Sequence, residues 1–251
     1  MSTPSLINLR AALRTALRTA RKTGAAGMFC FCAVASAAIS PAILHASVRA
    51  PSVALAINAP NGSATITFRK VFKTSYPEFV EIKVSDRGTG TYDIRALDEE
   101  ASPQTFAVSA LLAQRIFELA SKLHDFEGVD LAVHRRIANL GEKTFRYEKG
   151  AESHEVTFNY TLDDSATQLL NIFEALTRQE VDLGDLQRTM RYDHLGVNEV
   201  LKQIDADYAN KLLPEPEQFL QTLDQIAGDE KLLELARQRA RALASRMRST
   251  H

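Results

Sequence analysis

The chain has 251 residues, 45% hydrophobic and 24% charged, with 11 Gly, 8 Pro, 2 Cys and no Trp. That composition suits one ordinary folded domain or two small ones, and it excludes collagen-like, disulfide-scaffold and wholly disordered classes. The net charge of -1 hides an asymmetry, because residues 1–46 hold five basic side chains and no acid, which leaves 25 basic against 31 acidic side chains in the remainder. A body of that sign does not attract phosphate backbones, so no nucleic-acid partner is expected.

Residues 1–46 have the three-part layout of an export signal: a basic segment, an apolar core from Gly24 through Ile39, then Pro41 and small residues. Arg10, Arg14, Arg18 and Arg21 recur at helical spacing, which suits a basic helix lying on an anionic inner leaflet. Cleavage after Ala46 gives a periplasmic or secreted protein. The alternative is an inner-membrane anchor formed by the uncharged residues 23–44, which are long enough to span a bilayer. Either way, contact with membrane runs through this segment alone. Cys30 and Cys32 both lie inside it, so cleavage removes disulfides, thiol nucleophiles and Cys-based zinc sites together.

Residues 47–63 read as a linker rich in Pro, Ala and Ser, ending near Asn61-Gly62. The pattern then turns to period two. Ile66 and Phe68 alternate with Thr and Arg, and Val80, Ile82 and Val84 alternate with Glu81, Lys83 and Ser85, as half-buried strands do. Asp86 to Gly90 supplies a turn and Thr91 to Arg95 a returning strand, so residues 79–95 are predicted as a hairpin.

Ser109 is placed to cap a helix carrying Leu111, Leu112, Ile116, Phe117, Ala120 and Leu123 on one face. A short helix is expected around His134 to Ala138, ended by Gly141. A second hairpin follows, with Phe145 and Tyr147 on one arm and Val156, Phe158 and Tyr160 on the other. Asp164 or Ser165 then caps a helix with Leu169, Leu170, Ile172, Phe173 and Leu176.

Beyond Arg178 the period is helical throughout: Val181 to Tyr192, Val197 to Leu213, a helix opened by Pro214-Glu215-Pro216, and Glu230 to Arg248, separated at Gly184, Gly196 and Gly228. Strands followed by helices argue for an α+β fold. Its expected form is two β-hairpins each followed by a helix (ββα-ββα) in a small antiparallel sheet over residues 64–178, with an all-helical C-terminal subdomain over 179–251.

The run Tyr76-Pro77-Glu78-Phe79-Val80-Glu81-Ile82 with Gly88-Thr89-Gly90-Thr91-Tyr92, the helix end Ile116-Phe117-Glu118-Leu119, and the second hairpin followed by Ile172-Phe173-Glu174-Ala175-Leu176 carry a resemblance. Over residues 77–178 the chain resembles an uncharacterised exported domain family, and also emfourin, a small proteinaceous inhibitor of metallopeptidases. The likeness rests on element order and spacing. It implies a binding module, with peptidase inhibition as its sharpest form, and assigns no inhibitory residue.

Dinucleotide, P-loop, HExxH, GxSxG and EF-hand signatures do not occur in the sequence. His124, His134, His154 and His194 lie in four separate segments without a short ligand spacing, so neither a metal nor a cofactor is expected. The repeated Arg-Tyr pairs, Arg146-Tyr147 and Arg191-Tyr192, are the candidate partner contacts, since Arg and Tyr are enriched among interface hot spots. The arginines of residues 237–248 are expected to form the solvated face of a packed helix. The resulting expectation is a non-catalytic, exported protein-binding module in the cell envelope. The alternatives are an enzyme of unfamiliar type using His with Asp or Glu in a cleft, and an oligomeric scaffold.

Overall fold

The computed structural model describes residues 62–249. The export segment, its cysteines, the cleavage position and nearly all of the linker lie outside the described residues. Six strands form one antiparallel sheet: β1 (Thr65–Val71), β2 (Phe79–Ser85), β3 (Thr89–Arg95), β4 (Gln104–Ala107), β5 (Glu142–Lys149) and β6 (Glu152–Phe158). Their order is β4-β3-β2-β1-β5-β6. Both expected hairpins form, but they never touch, because β1 lies between them and pairs with β2 on one side and β5 on the other.

The register puts Phe68 of β1 opposite Ile82 and Phe145. Alternation then sends Ile66, Phe68, Val80, Ile82, Val84, Phe145, Tyr147, Val156 and Phe158 to a single face, where all are buried. Two helices cover that face, α1 (Ala110–Lys122) and α2 (Asp164–Tyr192). Ser109 caps α1 as expected, its hydroxyl accepting from the Leu112 N–H at 3.2 Å. Asp163, one residue earlier than read from the sequence, caps α2 by accepting from the Ala166 N–H at 2.8 Å. The core is aromatic at its centre: Phe173 of α2 stacks on Phe68 at 5.2 Å, and Phe145 lies 5.2 Å from Phe158 and 5.5 Å from Phe126.

The fold is mixed α+β with a helical C-terminal region, and four local readings need correction. Strand β4 goes unread in the sequence because Phe106 is its one large apolar residue; Gly90 directly opposite leaves the slot that the Phe106 ring fills. Residues 131–141 form no helix; Leu131 is buried while Asn139 holds the loop to its own Gly141 N–H at 2.9 Å. Helix α2 does not stop at Arg178 or Gly184 but runs unbroken to Tyr192. Helix α3 (Val197–Ala209) ends before Leu213, since Lys211 takes a positive φ of 57° and Leu213 precedes proline.

Pro216–Phe219 is a single 3-10 turn leading into α4 (Leu220–Gly228), and α5 spans Glu234–Ser249. These helices and the end of α2 enclose a second core that begins at Leu186, whereas the sheet core ends at Leu176. The C-terminal arginines bind within the fold. Arg246 pairs with Asp205 of α3, Arg248 with Asp224 of α4 at 2.6 Å, and Arg239 donates to the Asn198 carbonyl at 3.4 Å. Among the described residues no helix is long and apolar enough to cross a membrane.

Candidate functional site

The two Arg-Tyr pairs meet different fates, and strand geometry explains the first. Arg146 and Tyr147 are neighbours on β5, so their side chains leave opposite faces of the sheet. Tyr147 enters the core at 7% exposure, and burial first, then the charges of Asp125, Glu152 and Asp86, raises its pKa. Arg146 stands on the open face, where it pairs with Glu148 at 2.9 Å and donates to the Ser153 hydroxyl at 3.1 Å. The dipeptide is therefore a core anchor next to a surface ion pair.

Arg191 and Tyr192 end α2 and are both exposed. Tyr192 is 81% exposed and Leu195, across the turn, 72%. The corner that presents them is built by Asp193: its N–H closes α2 on the Thr189 carbonyl at 2.8 Å, and its carboxylate accepts from the Gly196 N–H at 3.1 Å. A Cβ at Gly196 would push that carboxylate aside, so glycine lets Asp193 keep this bond. An aromatic and an aliphatic side chain thus stand in water on a braced turn, flanked by Arg191 and His194.

The histidines stay apart. His124 occupies the turn after α1, His134 bonds Asp130 at 2.7 Å on an exposed loop, His154 lies half-buried on β6, and His194 sits at the α2–α3 corner. Among the described residues no group of three or more His, Cys, Asp or Glu could hold a metal ion. Two adjacent acid pairs, Asp163-Asp164 and Glu99-Glu100, are structural: Asp163 is a helix cap and Glu99 accepts from the Ala96 N–H at 3.0 Å.

One polar cluster was not anticipated. The core stripe of α2, Leu169, Phe173 and Leu176, continues by one helical step to Glu180, which is only 3% exposed. Burial pushes the Glu180 carboxyl up to about 7, opposed by the nearby Gln179 amide. Gln179 is fully buried and accepts from the Glu215 N–H at 2.8 Å, while the Glu215 carboxylate accepts from the Ser109 hydroxyl at 2.7 Å and from its N–H at 3.1 Å. Tyr92 of β3 faces Glu180; burial first and that charge second raise its pKa. Two residues on, toward the opposite side of the helix, burial and the neighbouring Asp207 of α3 push Asp182 up to about 7. The helical stripe was the available signal, and it was lost by ending the helix at Arg178.

No protein-family model and no curated protein matches the chain.

Proposed function

We propose that this protein is a non-catalytic binding module of the cell envelope, carried across the inner membrane by residues 1–46 and recognising a protein partner. In this reading residues 79–122 and 142–192 are two halves on either side of β1, each a hairpin and a helix, the first with β4 added between them, and the emfourin likeness lies in that element order. The observation that carries it is the α2–α3 corner. A tyrosine and a leucine exposed together on a turn braced at both ends, beside an arginine, have the composition and rigidity of an interface hot spot. Full burial of a leucine-sized side chain is worth about 1.5–3 kcal/mol, so the pair would supply about 3–6 kcal/mol of a contact whose remainder comes from the surrounding surface.

Peptidase inhibition is the sharpest form of the proposal. Its test is a panel of extracellular metallopeptidases assayed with micromolar protein and with the Tyr192→Ala/Leu195→Ala variant. Inhibition by the native protein that weakens in the variant supports the inhibitor reading. Full activity of every peptidase removes inhibition and leaves the binding module to be tested by crosslinking.

A further inference from the structure

Helix α2 links two hydrophobic cores, and the stretch between them is built unlike either. Its last residue in the sheet core is Leu176 and its first in the helical core is Leu186. Between these, Leu183 packs on the edge of the helical core, but Gln179, Glu180 and Asp182 also turn inward, and three of their buried atoms, Gln179 Nε2, Glu180 Oε1 and Asp182 Oδ2, have no hydrogen-bond partner. A buried polar atom left unpaired is destabilising, so these three weaken the helix where they sit. Gly184 follows at once, exposed, with nothing within 4 Å of where a Cβ would stand. No packing demands glycine there, yet glycine is among the weakest helix formers.

The groups facing this stretch do not neutralise it. Asp182 looks onto Asp207 of α3, itself buried and bonded to Gln203 Nε2 at 3.0 Å. Asp185 and Arg178 of α2 act on Asp182 from its own helix, the first repelling and the second attracting. Glu180 faces Tyr92 of β3, and Glu215, from the loop before α4, reaches the cluster through Gln179. Among the described residues the cation acting on Asp182 is Arg178, and it is exposed.

We propose that residues 179–184 of α2 are a proton-operated hinge, in which neutral carboxyls hold α2 against α3 and β3, and loss of their protons drives Asp182 from Asp207 and loosens the helix at Gly184. The direction follows from burial. Both Glu180 and Asp182 hold their protons to about pH 7 in the fold and release them near the ordinary carboxylate range when unfolded. Between those limits the folded state binds more protons than the unfolded one. Local stability of the hinge therefore falls as pH rises towards 7 and stays low above it.

The experiment is amide hydrogen exchange on the full chain at about pH 5.5 and about pH 8.5, corrected for intrinsic chemistry, with E180Q/D182N as comparison. In the native protein, protection across residues 177–190 and along α3 is expected to fall by roughly tenfold at the higher pH, while in the variant the fall is under about twofold. Unchanged protection in the native protein, or an equal fall in the variant, overturns the proposal. If the variant does not fold, carboxyl-carbon titration of the native chain replaces it. Midpoints near 7 for Glu180 and Asp182 together with the protection loss support the hinge, and midpoints in the ordinary carboxylate range overturn it.

Discussion

Replacing Lys143 with methionine tests how the far end of the sheet is held. Lys143 lies on the core face of β5, opposite Lys70 and Phe158, at 5% exposure. Its ammonium donates to three carbonyls: Leu140 at 3.0 Å, Gly141 at 3.2 Å and Asn159 at 2.9 Å. These bonds tie the irregular 131–141 loop to the end of β6. Methionine keeps the apolar stem and removes all three. A hydrogen bond to a charged group is worth about 1.5–3 kcal/mol, but water can reach the Leu140 and Asn159 carbonyls and leaves Gly141 as the full loss.

Relief of a buried charge opposes that loss. Burial first, then the positive Lys70, lowers the Lys143 pKa. The net expectation is about 1.5–2 kcal/mol of destabilisation, which moves a urea midpoint by roughly 0.8–1 M at a typical slope. Lys70→Met is the control, since its ion pair with Glu174 at 3.0 Å is partly exposed on both sides and is worth at most about 1 kcal/mol. A Lys143→Met midpoint equal to or above that of the native protein would refute the reasoning, because desolvation of the ammonium would then outweigh its three bonds.

Three further outcomes are expected. Glu180→Gln should match the native protein below about pH 4.5 and exceed it by about 3 kcal/mol above pH 7, because a raised carboxyl stabilises only while it keeps its proton; parallel stability-against-pH curves would contradict this. Phe173→Ala, which empties the stack on Phe68, should lose about 3–5 kcal/mol in chemical denaturation, and a loss under about 1 kcal/mol would show that the stack is not central. Gly88→Ala forces a φ of 76° on a side chain whose Cβ would meet the Val108 carbonyl oxygen at 2.7 Å; melting should show about 2 kcal/mol or more lost, and an unaltered Tm would mean that the β2–β3 turn adjusts freely.

Local periodicity made most of the elements legible. The alternation in 80–84 and 145–158 and the cap at Ser109 depend on neighbours in sequence, and each is found in the fold. Sheet order is a different kind of information. Nothing near Ile66 or Phe68 states that β1 will separate the two hairpins, because that follows from which edges close over the same helices. Gly184 misled for a related reason: glycine weakens an isolated helix, yet Leu176 and Leu186 anchor α2 in a core on either side of it.

Site residues divide in the same way. Arg191 and Tyr192 end a helix, where side chains reach water. Arg146 and Tyr147 sit inside a strand, where alternation splits any adjacent pair. The buried acids were hidden because Glu180 and Asp182 look like surface residues until α2 is allowed to continue. Their burial is a property of the partners that α2 meets, Tyr92, Asp207 and Glu215, which lie far away along the chain.

A photo-crosslinking residue placed at position 192 of the full-length protein, in its native envelope, tests the binding-module account most directly. One discrete crosslinked protein from position 192, none from the buried position 147, and loss of the product on Leu195→Asp is the predicted result. A chain recovered intact from the cytosol, or an envelope chain that gives no product at 192, would contradict it.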